Sequence, residues 1–157
     1  MRKVRESIIC RAEKEDLETI LALQYLAYQS EAALFGGKKI PPLMQTIDEL
    51  EQEYEAGVVL KMTDSEGRII GSVRAKEEDG TVYVGKLMVH PDQRHKGYGK
   101  RLLLAIEKYF NCNRFELFTS TRSKDNIRLY EKMGYKHFDE KAVDDELTFV
   151  YMQKYLK

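Results

Sequence analysis

Tryptophan is absent from this chain, and proline, cysteine and histidine are scarce, with three, two and three copies among 157 residues. Cys10 and Cys112 stand in neither CxxC nor metal-like spacing, which excludes a disulfide framework and leaves two reduced core thiols. His90, His95 and His137 form no ligand spacing, so no metal centre is expected. Net charge is also missing. Lys plus Arg number 26 and Asp plus Glu number 26, so no global field favours nucleic acid or a membrane surface. No window approaches the roughly 18 apolar residues of a membrane span. The basic start MRKVRE has no apolar run of signal-peptide length behind it. The expectation is one cytoplasmic domain over residues 1–157, and 43% hydrophobic with 33% charged residues suits a globular core.

What is present alternates between two periods. SIICRA (7–12) reads as a strand, and the acidic Glu13, Glu15 and Asp16 suit the positive end of a helix that follows. Leu17, Ile20, Leu21, Leu23 or Gln24, and Leu26 carry that helix to about Ser30. FGGKKIPP (35–42) reads as a loop, and Thr46 with Glu49 forms a capping box for a second helix to about Ala56. From Gly57 the spacing becomes strand-like. VVLKMT, RIIGSVRAK and EEDGTVYVGKLMV predict three antiparallel strands, the last two joined at Asp79-Gly80. A helix then buries Leu102, Leu103, Ile106, Tyr109 and Phe110. RFELFTS (114–120) is a strand, and SKDNIRLYEKMGY (123–135) a helix ended by Gly134. A further strand and LTFVYMQKYL (147–156) close the chain. The order predicts a mixed α/β domain whose site lies where the fourth strand meets its helix.

That junction reads HPDQRHKGYGKRLLLAIE (90–107). Gly97 and Gly99 sit among Arg94, His95, Lys96, Lys100 and Arg101. The segment admits two readings. One is a helix-start turn with a solvated basic rim. The other is a pyrophosphate cradle, in which glycines let the backbone curl around an anion and the first helical N–H groups point at it. GxxxxGK[ST] does not fit, because one residue separates the glycines. GxGxxG does not fit either, because Leu102 stands where glycine is required.

LMVHPDQRHKGYGKRLL resembles the acetyl-CoA-binding motif of the GNAT superfamily of N-acetyltransferases, Q/R-x-x-G-x-G/A, at Arg94, Gly97 and Gly99. Leu87, Val89 and Pro91 match its preceding strand end, and NIRLYEKMGY is similar to its later helix. The resemblance implies a central, mostly antiparallel sheet with helices on both faces, whose fourth and fifth strands splay apart. It implies acetyl-CoA as co-substrate. Backbone groups of Leu87, Met88 and Val89 at a bulge would hold the pantetheine arm. Arg94, His95, Lys96, Gly97, Tyr98, Gly99 and Lys100 would hold the pyrophosphate, with Lys132 in reach of a phosphate.

Tyr130 matches the tyrosine that protonates the departing thiolate, although a tyrosine there also suits an amphipathic helix core. The chain departs from the pattern at Ser123, where Asn is frequent, so either Ser123 or Asn126 would contact the arm. Tyr28 and Glu31, with Tyr83 and Glu116, are candidates for the acceptor wall or the base. His90 reads as a surface or hydrogen-bonded residue. Carboxylates in DEKAVDDE (139–146) would attract a cationic acceptor, or form a solvated loop. ALFGGKKIPPLMQ (33–45) reads as a lid or a wall. The implied activity is transfer of acetyl to a primary amine of a small molecule or peptide. The alternative is a non-catalytic acyl-CoA-binding module. Phe149 and Tyr151 would face either the core or a homodimer interface.

Overall fold

A computed structural model describes residues 7–156; the basic residues 1–6 of the N-terminal reading lie outside it. Strand β1 (Ile8–Arg11) leads to α1 (Leu17–Ala27), α2 (Gln29–Ala33), α3 (Pro41–Met44) and α4 (Ile47–Ala56). Strands β2 (Val58–Thr63), β3 (Ile69–Glu78) and β4 (Thr81–Val89) follow, then α5 (Tyr98–Glu107), β5 (Arg114–Ser120), α6 (Lys124–Lys132), β6 (Lys136–Ala142) and β7 (Thr148–Tyr155). The sheet order is β1-β2-β3-β4-β5-β7-β6, antiparallel except at β4–β5.

Local chemistry explains most boundaries. The Thr46 hydroxyl accepts from the Glu49 N–H at 3.2 Å while the Glu49 carboxylate accepts from the Thr46 N–H at 2.9 Å, which satisfies two donors that α4 leaves without partners. Asp79 and Gly80 both take left-handed φ, 52° and 83°, as a two-residue hairpin turn requires. Gly134 ends α6 with φ 98°, and the Tyr135 N–H reaches back to the Tyr130 carbonyl at 2.9 Å.

Strand β4 changes face in mid-course. Ser72 pairs with Met88 and Arg74 with Gly85, so Val73 alone on β3 opposes Lys86 and Leu87. This is a bulge, and Lys86 sits in it at φ 52°. Before it, Val82 and Val84 join the core under α5 with Leu102, Leu103, Ile106 and Phe115. After it, Leu87 and Val89 pack on that core, while Met88 turns to Leu23 and Ala27 of α1 on the other face. A second cluster, Leu17, Ile20, Leu21, Leu50 and Val59, covers that face with α1 and α4. Beyond it Phe118 and Phe138 are exposed, and with Phe149 and Tyr151 they pack on one another at 4.7–6.5 Å between rings.

The structure corrects several expectations. The first helix stops at Ala27 and restarts at Gln29, because Tyr28 leaves the helical region at ψ 4°. Its inner face carries Gln24, fully buried, and leaves Leu26 exposed. The loop expected at 35–42 ends in a helical turn, since Pro41 and Pro42 open α3 where a missing N–H costs nothing. Tyr109 and Phe110 lie past the end of α5. Cys10 is exposed on the edge strand, not a core thiol. Residues 139–142 belong to β6, so the acidic loop is confined to 143–147.

Candidate active site

The glycine segment forms a cradle. Gly97 caps α5 at φ 81°, and the first bond into the helix is from the Arg101 N–H to the Gly97 carbonyl, at 3.2 Å. The N–H groups of Tyr98, Gly99 and Lys100 therefore have no partner inside the helix and face outward at its positive end. A cavity of about 390 Å³ opens over them, lined by Val89, Gln93, Arg94, His95, Gly97, Tyr98, Gly99, Lys100, Asp125, Arg128, Leu129 and Lys132. The glycines serve different needs. A Cβ on Gly97 would meet nothing within 4 Å, whereas one on Gly99 would lie 3.3 Å from Leu129 Cδ2. Gly97 is thus required for its backbone angle and Gly99 for the approach of α6. Gly97→Ala should destabilise the fold by about 1–2 kcal/mol, the cost of left-handed backbone for an L residue. A lowered denaturation midpoint with unchanged slope checks it.

Not every basic residue of the segment turns to the cavity. The Arg94 guanidinium donates to the Ala27 carbonyl at 2.7 Å, to Ser30 Oγ at 3.1 Å and to the Val89 carbonyl at 3.4 Å. It ties the turn to the carboxyl end of α1, where the helix dipole favours a cation. Its contacts fix the turn against α1. Lys96 donates to Gln93 Oε1 at 2.9 Å and does not line the cavity.

Between β4 and β5 the sheet opens. Their pairing covers only Thr81–Tyr83 with Arg114–Glu116, so from Val84 to Val89 the β5-facing edge of β4 has no strand partner. The bulge at Lys86 twists this edge away, and Leu87, Met88 and Val89 lie just past it.

A polar cluster sits where α2 meets α6. Ser123 donates to Glu31 Oε1 at 2.5 Å, and Asn126 donates to Glu31 Oε2 at 3.3 Å and Thr119 Oγ1 at 3.4 Å. Ser123 stands at the N-cap of α6 but makes no cap bond; its hydroxyl is committed to Glu31. Both residues considered for the cofactor arm hold the Glu31 carboxylate in this structure. Tyr130 is 7% exposed, and burial, reinforced by Tyr28 and Glu31 nearby, pushes its phenol well above the ordinary range. No described residue hydrogen-bonds its hydroxyl. Burial likewise raises Tyr28. Arg122 donates to the Leu34 carbonyl at 2.8 Å and stacks over Phe35 at 4.6 Å, which clamps the same junction.

On the α4 side of the split lies a cleft of about 1000 Å³, lined by Glu49, Glu53, Arg74, Lys76, Tyr83, Gly85, Lys86, Glu116 and Phe118 among others. Its wall is the 40–46 segment. Gln24 donates to the Pro42 carbonyl at 2.8 Å and to Gln45 Oε1 at 2.9 Å, and Tyr25 donates to the Gln45 carbonyl. These part-buried bonds tie the segment to α1 as a wall. The acidic loop does not line the cleft. Asp144 accepts from the Glu146 and Leu147 N–H groups, both at 2.8 Å, and Glu146 pairs with Lys38 at 2.6 Å.

The expected residues therefore fall into three places. His95, Gly97, Tyr98, Gly99, Lys100 and Lys132 meet at the cradle with Arg94 bracing it. Tyr28, Glu31, Ser123, Asn126 and Tyr130 gather at the α2–α6 junction. Tyr83 and Glu116 face the cleft as paired residues on β4 and β5. Sequence reasoning missed Arg128, one turn before Lys132 on α6, a spacing that was readable. It also missed Arg74, a cation inside the apolar run IIGSVRA. Lys86 and Gln45 carried no local signal. His90 Nδ1 accepts from the Asp92 N–H at 3.0 Å, as a hydrogen-bonded surface residue does. Among the described residues no group of three or more His, Cys, Asp or Glu could hold a metal ion, and no helix is long and apolar enough to cross a membrane.

The chain resembles proteins already known. It is 26% identical over 118 residues to the UPF0157 protein YqkA of Bacillus subtilis, covering 74% of this chain and 34% of that one; the chain spans about a third of that curated relative. Its fold is that of the PaiA N-acetyltransferase of Thermoplasma acidophilum solved with coenzyme A, at TM-score 0.81 and 21% identity, covering 96% of this chain and 99% of the other. It is also that of the ribosomal-protein-S18-alanine N-acetyltransferase of Escherichia coli, at TM-score 0.78 and 16% identity, covering 97% and 95%. Residues 20–135 match the Acetyltransferase (GNAT) family. With that match running from α1 through the split strands and the cradle to Tyr135, the chain belongs to the GNAT family.

Proposed function

We propose that this protein is an N-acetyltransferase that moves the acetyl group of acetyl-CoA to a primary amine of a small molecule or peptide. The observation that carries the reading is the adjacency of the outward N–H groups at the Gly97 cap and the unpaired edge of β4. One suits a pyrophosphate, the other a pantetheine arm bonded like an added strand. Tyr98, Gly99 and Lys100 would receive the pyrophosphate, with Arg128 and Lys132 opposite. The amine lone pair attacks the thioester carbon, the C–S bond breaks, and the sulfur takes the Tyr130 proton. The proton lost by the amine restores the phenol, through water or a base. A phenol whose pKa is raised stays protonated at neutral pH, the state a donor needs. Glu31 is the candidate base best held in place, fixed by Ser123 and Asn126.

Coenzyme A release from acetyl-CoA with a panel of primary amines is the test, and amine-dependent release is the expected result. A non-catalytic acyl-CoA-binding module is the second reading, favoured by the burial of Tyr130 in the core. It requires acetyl-CoA binding without release for any amine. We place the protein in the cytoplasm and any homodimer on the partly exposed ridge of Phe118, Phe138, Phe149 and Tyr151.

A further inference from the structure

The floor of the cleft holds two cationic side chains whose donors are not used up. Arg74 lies on β3 and is 5% exposed. Its Nε donates to Glu53 Oε1 at 2.6 Å and its Nη2 to Gln45 Oε1 at 2.6 Å. Its Nη1 is fully buried and has no partner. Buried charged donors are rarely left this way, because the lost hydration is not repaid. Beside it Lys86 occupies the bulge in left-handed backbone, which a lysine seldom adopts. It makes no hydrogen bond or ion pair with a described residue, and both residues line the cleft. Burial, and then Arg74, lower its pKa, while the Glu53 carboxylate acts the other way.

The charges of the cleft define what fits. Glu53 neutralises Arg74, and Glu116 is taken by Arg114 at 2.8 Å. Lys76 and Glu49, the remaining charged lining residues, are exposed to solvent and carry opposite charges. What stays unmatched on the floor is one ammonium charge and one guanidinium N–H. A carboxylate supplies one negative charge and two acceptor oxygens. A phosphate dianion would overfill the site.

We propose that Arg74 and Lys86 form a carboxylate subsite, and that the acceptor is an amino carboxylate: an amine that carries its own carboxylate, such as an amino acid or a short peptide. The inference rests on the acetyltransferase reading and names the acceptor class for it. The carboxylate accepts from the Lys86 ammonium, and from Arg74 Nη1 once a small shift of the guanidinium uncovers that atom, and Gly85, without a side chain, leaves the space between them and the split open. A carboxylate fixed at the bulge holds the amine next to the edge of β4, where the thioester would lie. Cationic polyamines lack the group that this floor asks for.

Matched pairs test it: lysine with cadaverine, phenylalanine with phenethylamine, and histidine with histamine, each with acetyl-CoA. The carboxylated member of at least one pair should show a kcat/KM about tenfold or more above its partner, the margin that a hydrogen bond to a charged group supplies. In Lys86→Met, and in Arg74→Met where that variant folds, the ratio should fall towards one. A thermal shift with acetyl-CoA alone is run in parallel. No shift overturns the acetyltransferase reading, and this inference with it. A shift overturns the inference alone if the decarboxylated partners react equally well or better. It does so too if no carboxylated member is bound or acetylated. A preference that Lys86→Met leaves unchanged overturns the assignment to this floor.

Discussion

Replacing Tyr130 with phenylalanine should lower kcat by about 10²-fold or more, the usual contribution of a positioned proton donor, while the KM for acetyl-CoA changes little. The ring sits inside the α5-side core with Tyr135 at 6.2 Å, so phenylalanine keeps the packing and removes only the hydroxyl. That hydroxyl has no described protein partner, so its loss leaves no donor or acceptor stranded. The pH profile adds a second reading. Because the phenol is raised above its ordinary value near 10, it remains protonated between roughly pH 6 and 9. Any limb in that range belongs to another group, and the profile of Tyr130→Phe should keep its shape at reduced height. An unchanged kcat would remove Tyr130 from the chemistry and leave it a core residue.

Lys154→Met should cost about 1.5–3 kcal/mol, the range for a lost hydrogen bond to a charged group, in a pair whose lysine side chain is 15% exposed. Glu107, at the last turn of α5, is 6% exposed. Lys154 on β7 reaches its two oxygens at 3.0 and 3.1 Å, and the Tyr135 hydroxyl donates to it at 2.7 Å. Without Lys154 a carboxylate remains in the core with one hydrogen bond. The double variant Lys154→Met/Glu107→Gln should recover most of the loss, since a neutral amide keeps an acceptor for Tyr135. Urea denaturation of both variants checks it, and equal midpoints for the two would contradict it.

Elements whose period and caps agree were legible from the sequence. The Thr46–Glu49 box, the Asp79-Gly80 hairpin, the strand 114–120 and the left-handed Gly134 all follow from local chemistry, and each stands where expected. The cradle was legible in its glycines, because their need is a backbone angle or a close approach. The charged residues around it were less so. Arg94 could be read as an anion ligand, yet it serves the end of α1, a partner 67 residues away in sequence. Ser123 and Asn126 were read against the cofactor arm, and they hold Glu31 from another helix. Long polar side chains reach several ångströms, and nothing local says in which direction. The bulge was expected from the family resemblance, at Leu87–Val89, and not from the residues themselves: it lies at Lys86 and Leu87, and TVYVGKLMV alternates well enough that a one-residue shift leaves no local mark.

The three rungs that join β4 to β5 have a consequence for solubility. An unpaired strand edge is ordinarily an invitation to another chain, and proteins blunt such edges with charge, proline or a covering element. Here the edge from Val84 to Val89 lies inside the molecule. It starts at a closed junction and widens away from it, with β5 as the opposite wall. A slender chain can enter from the open end, whereas a peptide strand with side chains on both faces meets the junction and the α1 helix before it finds register. The same divergence that opens the sheet therefore keeps this internal edge from serving as a template for aggregation.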